Sequence, residues 1–370
     1  MNVINNKKVG YLAHHALGDV IMKLPAIRWL CETAGTTNVY LTVQRAYLAD
    51  LLSLELNIPI ENMLVYGGLN TTWKDKLRFL VHWRSIPIDT LILPATINYN
   101  LGKQLFRLSK AKELYTSSKL VQYTNKPGTY YSKFKHKVFL NAEFVRLFEK
   151  DMTDETFIQK VYDSYYLDKE KYPCGKTVLL QKTGKDIAQY IIVHLGSGDS
   201  QKHKRIPMHH AQKIVEFIIN HHPGLDIILT GSGNESELIE ELCNKIDSPK
   251  LLNVVDKFSL PEFIGVIASA SLFISGDCGP VHLASILKVP IITFFGPTNF
   301  DITGPFTNAS VFTHLPLLNC MPCHDYSKRA ENYGCPPIYC LNGMNITPAL
   351  LEVQRILTTT NEFYYKNGYE

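Results

Sequence analysis

The stretch from Ile274 to Thr298, ISGDCGPVHLASILKVPIITFFGPT, decides how this chain folds. The apolar run from Leu272 to Ser275 predicts a short buried strand that stops at Gly276-Asp277, where a glycine-rich turn opens a helix. That helix carries His282 and runs to about Leu287; Lys288-Val289-Pro290 ends it, and a second apolar strand follows from Ile291 to Phe295. The second strand again ends in a glycine turn, Gly296-Pro297-Thr298. Strand, helix and strand in this order make a right-handed crossover in a parallel sheet. Two strand ends thus bring Asp277, backbone N–H groups, His282 and Gly296 to one rim, where ligands of open α/β sheets sit and where a helix N-terminus favours an anion. The segment reads as a phosphate-and-sugar site.

The same alternation extends upstream. A strand at Tyr190 to His194 leads through a Gly-Ser-Gly loop to a helix from Pro207 to Asn220. A strand at Asp226 to Thr230 is followed by a second Gly-Ser-Gly turn and a helix through Ile246, then by a strand at Leu252 to Val255 and a helix at Pro261 to Ala270. Loops after successive parallel strands emerge on one edge, so their residues converge. The N-terminal part is also α/β, with a strand at Lys8 to Ala13, a turn at Leu17-Gly18-Asp19, a helix from about Val20 to Thr33, and strands at Val39 to Val43 and Thr90 to Pro94. Breakers between Asp151 and Lys185 mark the connection. The pattern predicts Rossmann-like domains over 1–170 and 171–347, the second including a Cys-rich segment at 320–340, and a final helix over 348–370 packing back toward the first domain.

A chain of 370 residues with 45% hydrophobic and 19% charged residues is globular and long enough for two domains. No run approaches eighteen apolar residues and the N-terminus lacks a secretory pattern, which predicts a cytoplasmic protein. Residues 1–160 hold 21 Lys and Arg against 13 Asp and Glu, while the remainder holds 17 against 21. Nine of the basic residues lie in 101–140, opposed only by Glu113. That excess reads either as a solvated face or as attraction to an anionic acceptor or a membrane surface. No nucleic-acid-binding motif accompanies it.

Four loops carry the chemistry. Asp19 opens a helix, where the dipole would hold it ionised as a base; the competing reading is a helix N-cap. Ser197 and Gly198, followed by Lys204 just before a helix, suit a phosphate, with a flexible basic loop as the alternative. Gly231 and Glu235 repeat the theme without a Walker lysine or the full dinucleotide fingerprint, and Glu235 could accept from ribose hydroxyls or simply cap. Asp277, Cys278, Gly279 and His282 complete the set.

These blocks resemble the ADP-heptose:lipopolysaccharide heptosyltransferases of glycosyltransferase family 9: Gly18-Asp19 with Pro25, Lys204-Arg205-Ile206-Pro207, and Gly276 to Leu283 with Phe295 to Thr298. The resemblance implies a GT-B fold, two Rossmann-like parallel-sheet domains facing a central cleft, with a Cys-rich segment and a C-terminal crossover helix. It implies an acceptor-binding first domain, a donor-binding second domain, and an inverting transfer that needs no metal, from a nucleotide-diphospho-sugar such as ADP-heptose to an anionic glycan, glycolipid or protein, with no nucleic acid involved. The basic stretch at 101–140 adds the expectation of peripheral contact with the cytoplasmic face of a membrane. Asp19 matches the family's base and Lys204 the lysine that neutralises the diphosphate. Glu235 matches the nucleoside contact, Phe258 the base pocket, and Asp277 the donor-sugar carboxylate. Gly279 and His282 match the phosphate turn. The chain departs from the family at Ala13-His14-His15-Ala16, at Ile206 and at Cys278. A catalytically silent nucleotide-sugar-binding or assembly protein, and a nucleotide-sugar epimerase or hydrolase, are the alternatives.

Cys320, Cys323, Cys335 and Cys340 fall within twenty-one residues, a spacing that suits a closed structural zinc or iron site; reduced, partly buried thiols are the alternative. No cofactor is expected for catalysis.

Overall fold

In a computed structural model the chain divides into two units, Met1–Lys171 and Tyr172–Glu370. The structure describes residues 4–67, 72–94, 99–116, 122–123, 130–131, 134–307, 309–323 and 338–366.

The first unit is built on five parallel strands: β1 (Val9–Leu12), β2 (Val39–Val43), β3 (Met63–Val65), β4 (Thr90–Leu93) and β5 (Glu113–Thr116), in the order β3-β2-β1-β4-β5. β1 and β4 are buried along their whole length, as strands covered by helices on both faces must be. A short antiparallel ribbon, β6 (Gln122–Tyr123) and β7 (Tyr130–Tyr131), belongs to this unit. The expected helix from Val20 to Thr33 is two helices, Leu17–Ile21 and Leu24–Ala34. Pro25 explains the break: it has no N–H to continue the first ladder, but it fits the first turn of the second helix.

The second unit carries six parallel strands: β8 (Tyr190–His194), β9 (Asp226–Thr230), β10 (Leu251–Asn253), β11 (Phe273–Gly276), β12 (Ile291–Phe295) and β13 (Ala309–Thr313), ordered β10-β9-β8-β11-β12-β13. Both orders are of the Rossmann type, with the reversal of winding beside β1 and β8. The core lies between sheet and helices, with Ile191, Val193, Ile227, Ile274 and Ile292 facing Ile214, Ile218 and Ile239. The final helix, Thr347–Lys366, contributes Ala349, Val353, Ile356 and Leu357 to this same core. Its described side chains therefore bury their apolar face in the second unit. Among the described residues no helix is long and apolar enough to cross a membrane.

Candidate active site

The register of the second sheet sets the rim. His194 at the end of β8 lies opposite Thr230 of β9 and Ser275 of β11, and Gly276 lies opposite Phe294 of β12. The loops that follow these strands leave from one edge, and their charged side chains meet there as two ion pairs.

Lys204 Nζ lies 2.9 Å from Asp277 Oδ2, with the two side chains only 14% and 8% exposed. The approach is close because Gly276 has no side chain: a Cβ there would meet the Lys204 carbonyl oxygen at 2.3 Å. Beside it, Arg205 Nη2 lies 2.7 Å from Glu235 Oε1. The other oxygen of Glu235 accepts from the backbone N–H of Ser232 at 2.7 Å and from its hydroxyl, closing a capping box. Burial alone would raise this carboxyl, but the Ser232 hydroxyl and N–H and the Arg205 guanidinium outweigh it and hold Glu235 below the usual range. Of the two sequence alternatives for Glu235, the capping role is the one formed here.

The remaining predicted donor residues have the following surroundings. Ser197 donates its hydroxyl to the Gln201 carbonyl at 2.7 Å and braces its own loop, while Gly198 takes φ +66°, the left-handed region that favours glycine. Gly231 fits against Ile239 and Glu235, where a Cβ would lie 2.9 and 3.1 Å from the nearest side-chain atoms. Phe258 stacks on Phe263 with rings 8° apart, and Phe263 in turn lies 6.4 Å from the His194 ring. Burial pushes His194 down to about 4, so its imidazole is neutral at Thr230. The helix Gly279–Ile286 starts at Gly279 with Pro280 in its first turn and buries His282. Burial pushes the Cys278 thiol up to about 12, which makes it a neutral wall rather than a nucleophile. Gly296 has a packing reason of its own: a Cβ would come within 2.8 Å of Cys340 Sγ and 2.7 Å of Leu341 Cγ.

Cys340 is therefore buried in the core, whereas Cys320 is exposed and Cys323 half-buried. Cys335 lies outside the described residues. Among the described residues no three His, Cys, Asp or Glu side chains converge as a metal site.

In the first unit, Asp19 is the third residue of the helix Leu17–Ile21, and the N-cap is Ala16 without a side-chain bond. Asp19 is thus not the cap. Gly18 is buried beside it, and Lys137 Nζ approaches Asp19 Oδ1 at 3.4 Å, with side chains 23% and 29% exposed. Four residues on, Lys23 is wholly buried and lies 2.8 Å from His15 Nδ1. Sequence reasoning gave no role to Lys23, Lys137 or Arg205. The i, i+4 spacing from Asp19 to Lys23 was the available signal; Lys137, 118 residues away, had none.

Comparison with known proteins points to one family. Residues 158–334 match the model of glycosyltransferase family 9 (heptosyltransferase). Lipooligosaccharide heptosyltransferase 2 of Campylobacter jejuni is 32% identical over 132 residues, 34% of this chain and 40% of that protein. The chain thus spans less than half the length of the first curated relative it matches. Lipopolysaccharide heptosyltransferase 1 of Campylobacter coli is 29% identical over 312 residues, 79% of this chain and 84% of that one. Among solved structures, the ADP-heptose lipopolysaccharide heptosyltransferase II of Escherichia coli superposes with a TM-score of 0.61 at 16% identity, covering 84% of this chain and 91% of its own. Two Rossmann-type units of this kind are the GT-B fold.

Proposed function

From the match of residues 158–334 to glycosyltransferase family 9 and the likeness to heptosyltransferases, we propose that the chain is an inverting glycosyltransferase of that family. Its donor is a nucleotide-diphospho-sugar, ADP-heptose in the first instance, since a protein of the same fold is named for that donor. Its acceptor is a hydroxyl of a lipopolysaccharide core or a related glycan, glycolipid or protein.

The observation that carries this reading is the Lys204–Asp277 pair on the ligand rim. A buried ammonium held by one carboxylate can exchange that partner for a diphosphate, which frees the Asp277 oxygens to accept from donor-sugar hydroxyls. Asp19 takes the proton of the acceptor hydroxyl, the oxygen attacks the anomeric carbon, and the bond to the diphosphate breaks with its electron pair. Lys204 and the N–H groups at Gly279 then offset the charge on the departing diphosphate. Such transfer rests on positioning and leaving-group stabilisation with one base, and it asks for no catalytic metal. Phe258 is assigned to the nucleoside base and Glu235 to its ribose.

Incubation of the protein with ADP-heptose and other nucleotide sugars, with nucleotide release and transfer as readouts, tests the reading. Asp19→Asn should bind donor as wild type does and turn over at least about a hundredfold more slowly. Tight donor binding without turnover in the wild type would sink the enzyme reading and leave a nucleotide-sugar-binding protein.

We further infer a structural zinc or iron on Cys320, Cys323, Cys335 and Cys340, outside the chemistry. Freshly purified protein should carry about one equivalent of metal per chain; less than about half an equivalent counts against the site. A lipid-linked acceptor would place the protein in the cytoplasm at a membrane face, and meeting that face needs a surface for it.

A further inference from the structure

The helix Trp73–Ser85 carries two stripes with opposite fates. Phe79 and Trp83, one turn apart, pack into the core with Leu12, Leu64 and Leu91, and Trp83 Nε1 donates to the Leu105 carbonyl at 2.7 Å. The helix is also fixed at its start, where Thr72 and Asp75 close a capping box. Among the described residues its second stripe has no such cover. Trp73, Leu77, Leu80 and Val81 follow one another at helical spacing and are 70%, 54%, 37% and 65% exposed.

The charges around this stripe say what covers it. Lys74, Lys76, Arg78 and Arg84 are all exposed on the same helix. Its single carboxylate, Asp75, is occupied with the Thr72 backbone N–H and hydroxyl and with Arg78. The neighbouring helix Tyr99–Leu108 adds an exposed Arg107, and Lys110 follows it. A second copy of the same face would set these cations against their own kind, which costs binding. An anionic bilayer accepts the apolar residues and the cations together. Thirteen residues cannot span a membrane, but this composition, with Trp among the apolar residues and Lys and Arg beside them, is that of a helix lying in the interfacial plane.

We propose that the Trp73–Leu77–Leu80–Val81 face of this helix docks the first unit onto the anionic headgroup surface of a lipid bilayer. This goes beyond the transfer reaction, and it is read without donor or acceptor, so the two stand or fall separately.

The test is sedimentation of the full chain with vesicles of phosphatidylglycerol and phosphatidylcholine, and with phosphatidylcholine alone. Tryptophan emission serves as a second readout: Trp29 and Trp83 are 3% and 1% exposed, so a shift to the blue on binding reports Trp73. The protein should sediment with the anionic vesicles, show the shift, and be released at high salt, where the surface potential is screened. Leu77→Glu/Val81→Glu, at exposed positions that leave the fold intact, should weaken partitioning by at least about tenfold. Lys74→Glu/Lys76→Glu should lose the preference for phosphatidylglycerol. Failure of the wild type to bind anionic vesicles would overturn the proposal, as would equal binding by Leu77→Glu/Val81→Glu. So would a dimer in sedimentation velocity that this variant dissolves, without vesicle binding, because the face would then serve a second copy.

Discussion

Lys23 places Nζ 2.8 Å from Nδ1 of His15 while its own side chain is wholly buried, at the turn that carries Asp19. Burial pushes the lysine down to about 8, with the Asp19 carboxylate opposing that fall and Lys137 adding to it. Burial and the Lys23 charge push His15 down to about 3. At neutral pH the ammonium is therefore the donor and the neutral imidazole the acceptor. The turn holds a positive charge out of water beside the proposed base, and His15 lies in the segment where the chain departs from the pattern it otherwise resembles.

The first prediction concerns that charge. The folded state holds Lys23 at about 8 and the unfolded chain at about 10.5, so between these values the unfolded state binds more protons. Stability must then rise with pH across this window, by an amount on the order of 3 kcal/mol, because the penalty for burying the ammonium lapses. In Lys23→Met the rise disappears. Denaturant unfolding of both proteins at several pH values from 7 to about 10.5 isolates the contribution as their difference. Parallel curves for the two would mean that Lys23 is not buried as a charge.

The Lys204–Asp277 pair leads to a second prediction. Removing one partner leaves the other as an uncompensated, nearly buried charge, which costs about 3 kcal/mol. Lys204→Met and Asp277→Asn should each be destabilised by that order. The double variant should lose little more than either alone, so the coupling energy should exceed about 1 kcal/mol. Additive losses in a thermal or denaturant cycle would show that the two groups act apart. Donor binding should weaken in both single variants.

The capping box at Ser232 makes the acid limb of stability a third test. Glu235 is held below its unfolded value of 4.5, so its contribution is complete above that value and is lost as pH falls through the lower folded one. Glu235→Gln should be less stable than wild type at neutral pH and should lose part of the decline seen below pH 4.5. Unfolding midpoints measured from neutral pH downward read the effect, and a variant with an unchanged acid limb would contradict it.

Much of this site was legible because strands and glycine turns write themselves into the sequence. Tyr190–His194 and Ile291–Phe295 are unbroken apolar runs bounded by glycine, and their order alone fixes the rim that Lys204, Glu235 and Asp277 share. β13 escaped notice because every residue of Ala309–Thr313 is only half-buried at the sheet edge, which blurs the apolar pattern. Lys23 escaped because a lysine in an apolar stretch reads as solvated until the fold closes over it. The outward stripe at Trp73, Leu77 and Val81 escaped for the opposite reason: apolar residues at helical spacing read as core, and only coordinates tell which face is covered.

Gly296 separates two roles that the sequence could not. It ends β12 on the ligand rim, where a glycine lets backbone approach a phosphate, but it also lies against Cys340 Sγ and Leu341 Cγ with no room for a Cβ. Overpacking of this kind costs about 2 kcal/mol, since Leu341 and Cys340 are themselves buried and cannot retreat into solvent. Gly296→Ala should therefore lower the unfolding free energy by that order. Donor affinity, measured on the folded fraction, should change little. A Gly296→Ala protein with wild-type stability and weakened nucleotide binding would reverse the assignment and give the glycine to the ligand.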